Sequence, residues 1–168
     1  MREYKLPNYD LGKHSLDHAF NIVFSEDTLT ETHGSSIKTT QWKDNMRTTD
    51  FYIQIEAIPW ALRHIFCGSG LHVTVNQTMN KTLGLMKVKN EIQTHFIGSR
   101  LFKVASEFDL SSKGDHIFLS GKVSCIARLP LPLNMIAERF MINQCKKEIT
   151  SYTEVVGKKF ISESCSKN

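Results

Sequence analysis

Residues 133–160 carry an apolar side chain at nearly every fourth position, and this stripe constrains the fold more than any other feature of the chain. Leu133, Ala137, Met141, Cys145 and Ile149 are each four residues apart, and Tyr152, Val156 and Phe160 continue the line. Ile136 and Phe140 broaden it. That recurrence gathers side chains on one face of an α-helix. The opposite face holds Glu138, Arg139, Lys146, Lys147, Glu148, Lys158 and Lys159. The spacing predicts a helix over 134–161, on the order of 40 Å long at about 1.5 Å per residue. A helix of that length with a broad apolar stripe has to lie against something equally long and apolar. Gly157 weakens its last turns by roughly 1 kcal/mol relative to Ala, and residues 162–168 are expected to form a disordered tail.

The middle of the chain supplies the partner. Phe51, Ile53, Ile55 and Ala57 alternate with Tyr52, Gln54 and Glu56, the signature of a strand with one buried face. Leu71, Val73, Val75 and Met79 repeat the pattern, a weaker strand spans 83–95, and Phe102, Val104, Phe108 and Leu110 mark another. Ser111-Ser112-Lys113-Gly114-Asp115 reads as a hairpin turn into a strand over 116–129. Residues 37–43 add a first strand. Short connections between successive strands require antiparallel neighbours. Upstream, Leu16, Ala19, Phe20, Val23 and Phe24 form a short helical pattern with Ser15 as its N-cap, followed by a further turn at 25–29. The expected architecture is α+β, a curved antiparallel sheet of six or seven strands wrapped around one long C-terminal helix, in a single domain over 1–161.

Composition excludes several classes. The 168 residues are 40% hydrophobic and 23% charged, which fits one globular domain and not a fibrous or disordered chain. The formal charge of +4 is too small to indicate a nucleic-acid binder, and interleaved glutamates dilute each basic group, so no nucleic acid is expected. The N-terminus lacks the apolar core of a secretory signal and the four cysteines form no CxxC pair, so an intracellular setting, cytoplasmic or peripheral at a membrane, is expected. No phosphate loop, dinucleotide fingerprint or nucleophile elbow is present. His14 and His18 have a spacing that metal sites use, but solvated histidines explain them as well, so no metal, cofactor or catalytic residue is expected.

Short helix, antiparallel sheet and long final helix together resemble the START-like, or helix-grip, superfamily. The first half also resembles its VASt branch, the sterol-binding domains found beside GRAM domains. That likeness is carried by Phe24-Ser25-Glu26-Asp27, Trp42, Arg47 with Tyr52, and Val73-Thr74-Val75-Asn76-Gln77. The tyrosine- and proline-containing segment usual in the later strands of such domains is missing. The resemblance implies an apolar ligand pocket between sheet and helix, closed by a loop that here would be Ile58 to Gly70. Its lid residues would be Trp60, Arg63 and Phe66, touching ligand or, transiently, a membrane surface. The plainer alternative is a short amphipathic helix with Trp60 and Phe66 buried against the sheet edge.

Taken together, these readings lead to non-catalytic binding or transfer of a hydrophobic, lipid-like ligand, a sterol among the candidates. The cavity wall is expected from Phe51, Ile53, Val73, Val75, Phe108, Ile136, Phe140 and Met141, with Gln54, Gln77 and Gln144 orienting the ligand. Two alternatives stay open: a scaffold or assembly subunit whose core is filled by side chains, and a cyclase- or hydrolase-type enzyme of the same fold.

Overall fold

The computed structural model describes residues 1–33, 37–54, 70–95 and 99–165. Among these residues seven strands form one sheet. In chain order the elements are β1 (Arg2–Asp10), α1 (Leu16–Val23), α2 (Glu26–His33), β2 (Lys38–Thr39), β3 (Met46–Gln54), β4 (Gly70–Thr82), β5 (Leu85–His95), a 3₁₀ turn (Ser99–Leu101), β6 (Phe102–Lys113), β7 (His116–Ala127) and α3 (Leu133–Cys165). From β2 to β7 the strands neighbour one another in sequence order, and β1 returns to pair with β7 at the far edge. Every pairing is antiparallel. The meander expected from the short turns is what forms.

Four elements differ from the sequence reading. β1 was not expected, because Pro7 interrupts its alternation. Tyr4 and Leu6 follow a strand phase and Leu6 is buried, but the register to β7 shifts between Leu6 and Tyr9. A bulge on an edge strand is where proline is tolerated. The strand expected over 37–43 contracts to Lys38–Thr39. The turn expected at 25–29 is the beginning of a full helix, because the Ser25 hydroxyl caps it by accepting from Thr28 N at 3.0 Å. Finally, α3 runs to Cys165, so residues 162–165 belong to the helix and not to a tail.

Helix α1 begins as expected, with Ser15 Oγ accepting from His18 N. It buries Ala19, Phe20, Ile22 and Val23 beneath α3, where Tyr152, Val156 and Phe160 complete the largest apolar cluster. Two charges assigned to the solvent face of α3 point inward instead. Glu138 is buried and accepts from Ala127 N at the end of β7, and Glu148 lines the interior cavity. Glu138 answers a backbone donor that the last residue of β7 would otherwise leave unpaired. Lys159 reaches α2, 2.8 Å from Glu31.

Candidate functional site

A cavity of about 210 Å³ lies between the sheet and α3. The alternation of β3 to β6 sends every second side chain into it, and the four-residue stripe of α3 faces back. Of the residues expected to form the wall, Phe51, Val73, Val75, Phe108, Phe140 and Met141 lie on it. Val73, on β4, is 1% exposed. Ile136 does not belong there: it is 37% exposed and absent from the wall. It sits one residue, about 100° of helical turn, from Ala137, which is fully buried and does line the cavity. Gln77 and Gln144 also lie on the wall. The side chains of Ile53 and Gln54 and the whole segment with Trp60, Arg63 and Phe66 lie outside the described residues.

Across this apolar interior runs one polar row. Arg47 faces Gln77, Gln77 faces Asn90, and Asn90 faces Ser106, each pair in direct register on neighbouring strands. Their side chains are joined in sequence. Arg47 Nε donates to Gln77 Oε1 at 2.7 Å, Gln77 Nε2 donates to Asn90 Oδ1 at 3.0 Å, and Asn90 Nδ2 donates to Ser106 Oγ at 2.9 Å. Thr49 donates a long bond, 3.4 Å, to the same Gln77 oxygen. All five residues are buried, and all except Arg47 line the cavity. On the next strand Ser106 faces Val123, and the row ends.

Arg47 anchors the row. Its Nη1 donates to the Phe24 carbonyl at the C-terminus of α1 at 2.6 Å, and its guanidinium carbon lies 4.5 Å from the centre of the Trp42 ring. Burial lowers its pKa to about 10, so it remains cationic at neutral pH. Phe24 and Gln77, distant in sequence, and the nearby Trp42 thus converge on the Arg47 side chain. Above it, the buried Tyr152 hydroxyl donates to the Val23 carbonyl. Burial pushes the Tyr152 pKa up, against the pull of the Arg47 charge.

Sequence reasoning missed Thr49, Asn90 and Ser106. The signal was present: Asn90 sits between Val88 and Ile92, and Ser106 between Val104 and Phe108, on the inward phase of their strands. A polar residue in such a position is buried and needs a partner. On the helix side, Gln144 Nε2 donates to Glu148 Oε1 at 3.0 Å, and Cys145 lines the cavity beside them. The buried Cys125 thiol is pushed up by donating to Cys145 and by its burial. The His14 and His18 rings lie 5.4 Å apart, His14 packing on Phe160. Among the described residues no set of three His, Cys, Asp or Glu side chains is placed to hold a metal ion.

A curved antiparallel sheet closed over one long C-terminal helix, with a cavity between them, is the START-like helix-grip fold. A START superfamily protein from Mycobacterium smegmatis is similar with a TM-score of 0.55 at 11% identity, over 93% of this chain and 97% of that one. Ara h 8.0201 gives a TM-score of 0.55 at 12% identity, over 96% and 98%. Human STARD10 gives 0.51 at 8% identity, over 90% of this chain and 63% of STARD10. At these identities the likeness establishes the fold alone. No family model and no curated protein matches the sequence.

Proposed function

We propose that the protein binds an apolar, lipid-like ligand in the cavity between sheet and α3 and holds it without chemical change. The observation that carries this reading is the cavity itself: about 210 Å³, walled by side chains such as Phe51, Val75, Phe108, Phe140 and Met141, with one band of hydrogen-bonding groups. A scaffold of the same fold would fill that space with side chains. Engineered apolar cavities of about 150 Å³ take up benzene, whereas drug-sized ligands occupy roughly 300–1,000 Å³. A slim single-chain or single-ring molecule therefore suits the cavity without moving its wall, and a sterol, the bulkiest candidate, requires the wall to yield. Affinity would come from buried apolar area at about 25 cal/mol per Å².

The direct test is native mass spectrometry of the purified protein followed by solvent extraction. A bound mass that leaves on extraction and is recovered in the organic phase supports the reading. Protein that carries no such mass and takes up no apolar probe defeats it.

A further inference from the structure

The turn that carries the chain from β7 into α3 leaves apolar side chains in solvent, at the end of the sheet where a group of cations also gathers. Leu131 is 73% exposed and Met135 53%, and the exposed Ile136 stands beside them in the first turn of α3. The residues of this segment that can reach the core, Leu129, Leu133 and Ala137, already pack in it. Pro130 and Pro132 flank Leu131 and stiffen the turn. Their carbonyls accept from Asn134 N and Met135 N, so the backbone is satisfied with Leu131 pointing out.

The cations lie around these side chains. Arg128 precedes the turn, and Arg139 follows Met135 by about one turn of helix; both are exposed. Arg128 N donates to the Leu101 carbonyl at 2.7 Å, which brings Arg100 alongside, and Lys103 faces Ile126 in register. Arg100, Lys103 and Arg128 line one groove in which Glu91 is the only acid among the described residues. None of the four cations has a carboxylate within ion-pair distance among the described residues. Glu138, the acid nearest in sequence, is buried and occupied by Ala127 N and the Met1 amino group.

We propose that this end of the molecule docks on an anionic membrane surface. Leu131, Met135 and Ile136 enter the boundary between head groups and acyl chains, and Arg100, Lys103, Arg128 and Arg139 meet the lipid phosphates and carboxylates. Adjacent exposed apolar side chains mark a contact surface, and the cations around them select a negative partner. An acidic protein would have to present a fitted apolar surface to the projecting turn, whereas a bilayer accepts it as it stands. On the inner side of the same helical segment Ala137, Phe140 and Met141 wall the cavity, so docking brings that end of the cavity to the bilayer. The contact requires no ligand and stands apart from the binding role proposed above.

The test is flotation of the purified protein with vesicles of phosphatidylcholine alone and of phosphatidylcholine mixed with phosphatidylserine, at low and at high salt. The mixed vesicles are expected to bind at least about tenfold more tightly than the neutral ones, and high salt should remove most of that difference. Leu131→Gln combined with Met135→Gln should weaken binding to mixed vesicles at least about fivefold. Arg128→Gln combined with Arg139→Gln should weaken it by a similar factor, about fivefold or more, and reduce its salt dependence. Leu83→Gln, an exposed change in the β4–β5 turn at the opposite end of the sheet, should bind as the wild type does. No flotation with mixed vesicles, flotation that both paired variants leave unchanged, or an equal loss in Leu83→Gln overturns the inference. Binding to polyglutamate that matches binding to mixed vesicles and ignores the Leu131 and Met135 changes overturns it in favour of an acidic protein partner. Each of these results leaves the cavity reading standing, because that reading is tested by the extracted ligand and not by vesicles.

Discussion

Arg47 is the residue on which the interior depends most. It is 5% exposed, gives hydrogen bonds to a side chain on β4 and to the end of α1, and stacks on Trp42. Replacing it by Leu would leave the Gln77 oxygen and the Phe24 carbonyl without their charged donor. An unpaired buried acceptor costs about 1–3 kcal/mol, more when the lost partner is charged. Arg47→Leu is accordingly expected to lower unfolding stability by on the order of 3 kcal/mol in urea titration. A loss well under about 1 kcal/mol would show that the guanidinium does not hold these elements together. Gly157 provides the opposite case. A Cβ there meets nothing within 4 Å, although the residue lies inside α3. Gly157→Ala should raise stability by about 0.5–1 kcal/mol, because only the helix propensity changes. A destabilised variant would show that the helix bends at this point.

The elements were legible in the sequence to the extent that one period dominated them. The four-residue stripe and the two-residue alternations located α3 and five of the strands, because each buries one face along its length. Legibility failed where a local residue overrode the period. Pro7 hid β1 behind a bulge, and the polar stretch after Ser25 disguised α2 as a turn. The polar row was hidden for a related reason. Asn90 and Ser106 look like ordinary strand polar residues until the register shows them facing each other inside the sheet.

Between β6 and β7 the outward face carries Glu107 directly opposite Lys122, their charged atoms 3.0 Å apart. The hydrogen bond from Lys122 is the main reason that the Glu107 pKa falls below its ordinary value of 4.5, and the same bond raises that of Lys122 above 10.5. A depressed carboxylate pKa means that the stabilisation is complete above pH 4.5 and is lost as pH falls through the lower native value. For Lys122 the stabilisation is complete below pH 10.5 and is lost as pH rises through the higher native value. Glu107→Gln should therefore flatten both the acid and the alkaline limbs of a stability-against-pH curve and leave the slope near neutrality as it is. Unchanged limbs would mean that this exposed pair is too well solvated to contribute.

At the scale of the whole molecule, one division of labour explains the arrangement. The strand phases and the helix stripe, which the sequence displays openly, build a shell. The row anchored by Arg47, assembled from four strands, gives the space inside that shell its chemistry. No helix among the described residues is long and apolar enough to cross a membrane. The stripe of α3 is instead spent on α1, α2, the sheet and the cavity. The proposed binding role requires the cavity to be usable space. The most direct measurement is calorimetric titration of decanol into the wild-type protein and into Met141→Trp, alongside their thermal melts. Met141 lies half-buried on the cavity wall, where an indole would occupy the ligand's volume. The expected result is saturable binding by the wild type, none by the variant, and melting temperatures that agree to within a few degrees. Equal binding by both proteins, or none by either, would contradict it.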